Sequence, residues 1–147
     1  MTRLIIDASV AIKWFLPEPL DNEAARARSE GTQLGAPDLL FFEVGNALWK
    51  RVRRGDVTAA AAGSVARALS LLPIETYPSR LLTGAALQIA CASGLTAYDS
   101  LYLATALLTD SRVVTADRRF FDVARLVPQL RERVLWVQDL PAPEPGR

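Results

Sequence analysis

The sequence predicts an α/β fold in which a parallel sheet is covered by helices on both faces. Short apolar runs alternate with longer helical ones along the whole chain. The apolar runs lack a polar alternation, as expected of strands buried on both sides. No linker-like stretch or internal repeat divides the 147 residues, and that length suits one domain with its own core.

The elements follow in order. Leu4-Ile5-Ile6 reads as a buried strand ending at Asp7, and Val10 to Leu16 as a first helix stopped by Pro17 and Pro19. Asp21 or Asn22 can cap a second helix running to about Glu30. Gln33 to Ala36 is a short strand, and Pro37-Asp38 opens a strong helix to about Arg54, with Gly55 as its stop. Thr58 starts an alanine-rich helix to about Leu71, and Ile74-Glu75-Thr76 is a brief strand. Ser79 to Ser93 is helical and closed by Gly94, and Thr96 begins another helix to about Thr109. Val113-Val114-Thr115 is a strand, Asp117 to Leu126 a short helix, and Val134 to Val137 a last strand. Residues 1–140 thus form the domain, and the proline-rich 141–147 is expected to be a disordered tail.

Composition removes several chemistries. There is no histidine, which excludes Ser-His-Asp and Cys-His nucleophiles, paired-histidine acid–base schemes and histidine-ligated metals. One cysteine, Cys91, allows no internal disulfide and no cysteine-rich zinc site, which fits a reducing cytoplasm. Lying among Ile89, Ala90 and Ala92, it is expected to be a small core residue. Asp7 and Lys13 interrupt the N-terminal apolar stretch, which argues against a signal peptide, and no apolar run is long enough to predict a membrane span. The net charge of +1 does not by itself point to nucleic acid. Of the 17 basic residues only Lys13 and Lys50 are lysine, so cationic chemistry is nearly all arginine, suited to bidentate contacts with phosphate or carboxylate.

In open parallel sheets, ligands gather at the carboxyl ends of the strands where strand order reverses. Asp7 ends the first strand and Asp117 lies just past the Val113 strand, so both belong there. Glu43 shares a helix face with Leu39 and Ala47, and Asp99 one with Tyr102, Leu103 and Ala106. An acid on an apolar stripe is the informative exception. Each has a structural explanation: Thr96 and Asp99 have capping-box spacing, Asp117 can cap the next helix, Asp7 can end a strand and Glu43 can pair with an arginine. All four together are harder to explain that way. Two like charges 4 Å apart repel by roughly 4 kcal/mol at an effective dielectric near 20, so four converging acids need a cation. Hard oxygen ligands without histidine or cysteine favour Mg²⁺ or Mn²⁺ over zinc. Ser9, Asn46 and Thr115 are candidates to position waters and ligands.

Four segments carry a family resemblance. Asp7-Ala8-Ser9-Val10-Ala11-Ile12-Lys13-Trp14-Phe15 resembles the opening of a PIN domain. Pro37-Asp38-Leu39-Leu40 with Glu43-Val44 and Asn46-Ala47-Leu48 is similar to its second motif. Leu95 to Ala104 resembles the third, and Val114-Thr115-Ala116-Asp117-Arg118-Arg119-Phe120 the fourth. In order and spacing they best fit the VapC-type subgroup of bacterial and archaeal toxins. The resemblance implies a three-layer α/β/α sandwich with a central parallel sheet and endonucleolytic cleavage of RNA with Mg²⁺ or Mn²⁺. It implies that Asp7, Glu43, Asp99 and Asp117 are the acidic site, supported by Ser9, Asn46 and Thr115. It implies too a homodimer, inhibited by a small VapB-like antitoxin whose tail enters the active-site groove.

The remaining features fit around that site. Lys50, Arg51, Arg53 and Arg54 form the densest basic cluster; they can complement a helix C-terminus or grip RNA phosphates or an acidic antitoxin segment. Arg118 and Arg119 follow Asp117 directly and are better placed for substrate phosphate, although charge alone supplies no base specificity. Asp122 reads as a surface acid. Trp14, Phe15, Leu16, Phe41, Phe42 and Trp49 are mostly core by pattern, any left outside being a natural groove for an amphipathic helix, and Tyr98 to Leu108 could serve a dimer face.

Other classes fit less well. A haloacid-dehalogenase-type phosphatase needs a second aspartate where Ser9 stands and a late lysine, yet none follows Lys50. A phosphorylation receiver lacks the paired early acids and the late lysine. A non-catalytic binding module would not need all four acids, and a PIN nuclease of RNA maturation without an antitoxin is the nearest competitor.

Overall fold

A computed structural model describes residues 2–145, and in it five strands form one sheet in the order β3-β2-β1-β4-β5. The strands are β1 (Thr2–Ile6), β2 (Thr32–Pro37), β3 (Ile74–Tyr77), β4 (Arg112–Thr115) and β5 (Val134–Trp136). Every neighbouring pair is parallel, with Ile5 opposite Gly35 on one side and Val113 on the other. Ile5, Ile6, Val113 and Val114 have no solvent exposure, which explains their uninterrupted apolar sequence.

The helices are α1 (Ala8–Ala11), α2 (Asp21–Ala25), α3 (Leu39–Arg54), α4 (Ala59–Ser70), α5 (Ser79–Ser93), α6 (Ala97–Leu108) and α7 (Arg118–Leu126). The chain steps from β1 to β2 to β3 in one direction and then returns across the sheet to β4. Right-handed crossovers therefore put α1 to α4 on one face and α5 and α6 on the other, giving the expected α/β/α layers. α6 lies across β1, β2 and β4 and carries α5 on its outer side. The return from β3 to β4 makes β1 and β4 the switch point, so Asp7 and Asp117 emerge side by side.

Several boundaries depart from the sequence reading for identifiable reasons. α1 starts at Ala8, directly after the extended Asp7, and tightens into a 3-10 turn over Ile12–Trp14. Leu20, in the left-handed region at φ 69°, precedes α2, so neither Asp21 nor Asn22 is the cap. That helix ends far short of Glu30, tightening into a 3-10 turn over Arg26–Arg28 before Ser29 becomes extended toward β2. Asp38 precedes α3 without capping it; its carboxylate accepts from the Ser79 backbone N–H at 3.1 Å and from the Ser79 hydroxyl, and so caps α5. Gly55 and Gly94, both at φ 80°, end α3 and α5 as their positions predict.

Two burial expectations are corrected. Cys91 is exposed, because α5 buries Leu82 and Ala86 and leaves Cys91 off that stripe. The middle of the Tyr98 to Leu108 segment is core: Ser100 to Ala106 are all buried, so a dimer face here would rest on the exposed Tyr98, Leu107 and Leu108. Trp14, Phe15, Leu16 and Phe41 pack partly against the core, whereas Phe42 and Trp49 stand outside. Pro141 to Pro145 are exposed and form no helix or strand; Gly146 and Arg147, the end of the expected tail, lie outside the described residues. Among the described residues no single helix is long and apolar enough to cross a membrane.

Candidate active site

Asp7 leaves β1 with its backbone N–H still donating to Val114 O of β4 at 3.2 Å, which plants it at the switch point. Its side chain is almost wholly buried, at 5% exposure, and two hydroxyls donate to Asp7 Oδ2: Ser9 Oγ at 2.7 Å and Thr115 Oγ1 at 2.7 Å. The network extends through Ser9 Oγ, which accepts from Ala116 N at 3.0 Å, and Thr115 Oγ1, which accepts from Asp117 N at 3.0 Å. Hydroxyls from α1 and β4 thus lock the first acid to the loop bearing the fourth. Asp117 both caps α7, its Oδ1 accepting from Phe120 N at 3.2 Å, and belongs to the acidic group.

Glu43 comes from α3 and Asp99 from the first turn of α6, where Thr96 Oγ1 caps the helix by accepting from Asp99 N at 3.1 Å. The four acids are near enough to act on one another. Burial, and next the charges of Asp7, Asp117 and Glu43, push Asp99 up to about 7. Burial raises Asp7 as well, opposed by the Ser9 and Thr115 hydroxyls and reinforced by Asp117. Glu43 is raised by burial and by Asp7. Desolvation and like charges favour the neutral forms of Asp7, Glu43 and Asp99, and a site that does this to three carboxyls is poised for a cation.

Two buried atoms in this region lack partners. The Tyr102 hydroxyl faces the Glu43 carboxyl and favours its ionised form, yet neither Tyr102 Oη nor Glu43 Oε1 makes a hydrogen bond of normal geometry. Such orphans are rare in folded proteins and mark places where something further binds. By sequence Tyr102 is an apolar-stripe neighbour of Asp99, and nothing in that spacing signals that its hydroxyl meets Glu43, which lies on a different helix.

The supporting and basic residues divide. Ser9 and Thr115 hold Asp7 as their spacing suggested. Asn46 is exposed on the wall of a groove of about 380 Å³ lined also by Ser9, Glu43, Lys50, Arg51 and Arg54. Within the basic cluster Arg51 is half-buried and ion-paired with Glu18, Arg53 lies over the Trp49 ring at 5.1 Å, and Arg54 pairs with Asp56 at 3.1 Å. Arg118 pairs with the surface acid Asp122 at 3.2 Å and covers the rings of Phe121 and Trp136 at 5.4 and 5.0 Å. Arg119 and Lys50 are exposed. Two residues absent from the sequence reading of the site, Lys13 and Glu18, line the same groove. A larger groove of about 780 Å³ opens at the opposite end of the sheet, by Thr2, Thr32 and Arg112, and has no part in this site.

The PIN domain family matches residues 4–126 of the chain. Over 121 residues the chain is 33% identical to Ribonuclease VapC3 of Pyrobaculum aerophilum, covering 80% of this chain and 91% of that protein. The crystal structure of PAE2754 from Pyrobaculum aerophilum is similar at a TM-score of 0.66 and 25% identity, over 95% of this chain and 86% of that one. The structure of VapBC2 from Rickettsia felis, bound to a DNA fragment from their promoter, gives a TM-score of 0.62 over 92% of this chain and 98% of that one. Its 11% identity makes that likeness one of fold alone. With four motif acids gathered at one switch point and both family and relative matching over most of its length, the chain belongs to the PIN-domain family, among its VapC-type members.

Proposed function

We propose that this chain is a metal-dependent endoribonuclease and the toxin of a toxin–antitoxin pair. The observation that carries the reading is the convergence of Asp7, Glu43, Asp99 and Asp117 at the carboxyl end of the sheet, where Asp117 raises the pKa of Asp7, Asp7 that of Glu43, and Asp7, Asp117 and Glu43 together that of Asp99. The 33% identical relative, named Ribonuclease VapC3, supports the reaction class and, by its VapC type, a VapB-like antitoxin partner.

The residues fit a hard divalent cation, Mg²⁺ or Mn²⁺. The donor set is all oxygen, with one buried carboxylate oxygen, Glu43 Oε1, left without a partner. Among the described residues no three acids stand close enough together to hold an ion between them as they are, so a bound ion would reach some of these carboxylates through its waters. Asp7, Asp99, Asp117 and Glu43 would hold it. When bound, such an ion lowers the pKa of a water and stabilises charge on a phosphodiester. The chain's own part is to hold Asp7 in one rotamer through Ser9 and Thr115. The exposed Asn46, Lys50 and Arg54 line the groove with Glu43, and the exposed Arg118 and Arg119 follow Asp117 in sequence; these would carry RNA contacts. A cytoplasmic homodimer is part of the same proposal.

The test is incubation of total cellular RNA with the purified chain in Mg²⁺, in EDTA, and with Asp7→Asn beside it. Discrete fragments that need metal and disappear with Asp7→Asn are expected. Full cleavage by the variant, or cleavage unaffected by EDTA, overturns the acidic-site mechanism. Induction of the chain alone is expected to arrest growth, and harmless accumulation of folded protein overturns the toxin role.

A further inference from the structure

Beside the acids, in the same groove, three charged side chains are drawn out of solvent. Glu18 accepts from Lys13 Nζ at 3.2 Å through one carboxylate oxygen, and from Arg51 Nε at 2.8 Å and Arg51 Nη2 through the other. The side chains of Lys13, Glu18 and Arg51 are only 13, 15 and 20% exposed. Glu18 stands between Pro17 and Pro19, whose fixed φ angles order the loop before any contact forms. Arg51 is further braced by its Nη1, which donates to Ala47 O at 3.1 Å.

A single ion pair would suffice to staple this loop to α3. Here two cations share one carboxylate, so the cluster keeps a net positive charge that is partly desolvated. The Lys13 ammonium has three donors and spends one on Glu18; Arg51 has five and spends three. The unspent donors belong to residues lining the groove that also contains Ser9, Glu43 and Asn46. Positive charge held rigidly next to a cation-seeking acidic site suits a ligand that is itself anionic and must lie across both. A nucleic-acid backbone has that character, with successive phosphates reaching the acids and the basic wall.

We propose that Lys13 and Arg51 form a phosphate-binding wall for the RNA strand, and that Glu18 is the positioning residue holding both cations in place. This rests on the nuclease reading and adds to it the seat of a phosphate neighbouring the one cleaved.

The experiment is binding of a mixed-sequence single-stranded RNA 20-mer to the full chain carrying Asp7→Asn, which prevents cleavage, in Mg²⁺ over a salt series. Lys13→Gln and Arg51→Gln are each expected to weaken binding by roughly three- to tenfold and to lower the salt slope by about 0.7, one phosphate contact on a single strand. Lys13→Arg should restore both. Glu18→Gln should keep the slope, since both cations remain, while in the Asp7-intact chain it lowers kcat with Mn²⁺ affinity unchanged. If Lys13→Gln lowers the melting temperature but leaves RNA affinity and slope as they were, the cluster is a loop staple and the proposal is overturned. A polyglutamate peptide whose retention depends on Lys13 when RNA retention does not would reassign the wall to an acidic protein segment, also against the proposal. Failure of the parent to retain any RNA would overturn the nuclease reading along with it.

Discussion

Replacing Asp99 by Asn, which is nearly the same shape, isolates the electrostatic state of the acidic site. In the folded chain this carboxyl is pushed from 3.8 to about 7 by burial and three neighbouring acids. At 1.36 kcal/mol per tenfold change, that difference corresponds to about 4 kcal/mol of penalty on the ionised form. Asp99 is only part-buried, and solvent screening reduces the figure to about 2 kcal/mol. The penalty begins above the unfolded value of 3.8, where the unfolded chain loses the proton first, and is complete above 7. Without metal, stability therefore falls as pH rises through that window. Asp99→Asn escapes the penalty, and the Thr96 cap survives because it is made to the Asp99 backbone N–H. At pH 8 in EDTA the variant should melt about 4–8 °C above the parent, and the gap should close as pH falls toward 4. Saturating Mg²⁺ should reverse the order, stabilising the parent by about 2.7 kcal/mol at a hundred times its Kd while leaving the variant unchanged. Thermal melts at pH 4, 6 and 8, with and without Mg²⁺, decide it. A variant no more stable than the parent at pH 8 in EDTA, or a gap independent of pH, would refute the electrostatic account.

Thr115→Val removes the hydroxyl that donates to Asp7 at 2.7 Å and accepts from Asp117 N; it should cost about 1–3 kcal/mol in denaturant melts and weaken Mn²⁺ binding by roughly 10–100-fold. Tyr102→Phe deletes a buried hydroxyl with no partner, so the metal-free chain should melt at the same temperature or slightly higher; a fall of several degrees would show that the hydroxyl is satisfied. Leu103→Ala, in the middle of the buried α6, should lose about 2–5 kcal/mol by urea unfolding, whereas Phe42→Ala, at 81% exposure, should change stability by less than about 0.5 kcal/mol.

The acids were legible before any coordinates because carboxylates are conspicuous where periodicity calls for apolar side chains. Asp7 and Asp117 stand at the ends of apolar strands, and Glu43 and Asp99 interrupt apolar stripes of α3 and α6. Ser9 and Thr115 were legible for a related reason, lying two residues from those strand-end acids. The Lys13–Glu18–Arg51 cluster left no comparable trace. Its members are charged residues in unremarkable positions, and Glu18 meets Arg51 across 33 residues of chain.

Local physics determined most of the rest of what the sequence disclosed. Backbone stiffness and caps mark where α3, α4, α5 and α6 begin and end, and uninterrupted apolar strands require cover on both faces, so the α/β class followed from short-range rules. Tertiary structure decided what depends on partners distant in the chain. Asp38 became the cap of α5 instead of α3 because β2 and β3 place Ser79 beside it. α6 became the buried helix, with only Tyr98, Leu107 and Leu108 of its large side chains left exposed at its ends, because it crosses three strands and is covered by α5. Above all, the return from β3 to β4 set β1 against β4 and turned four scattered acids into one site. Charges separated by tens of residues acquire shifted pKa values only through the space between them, and that distance is created by strand order.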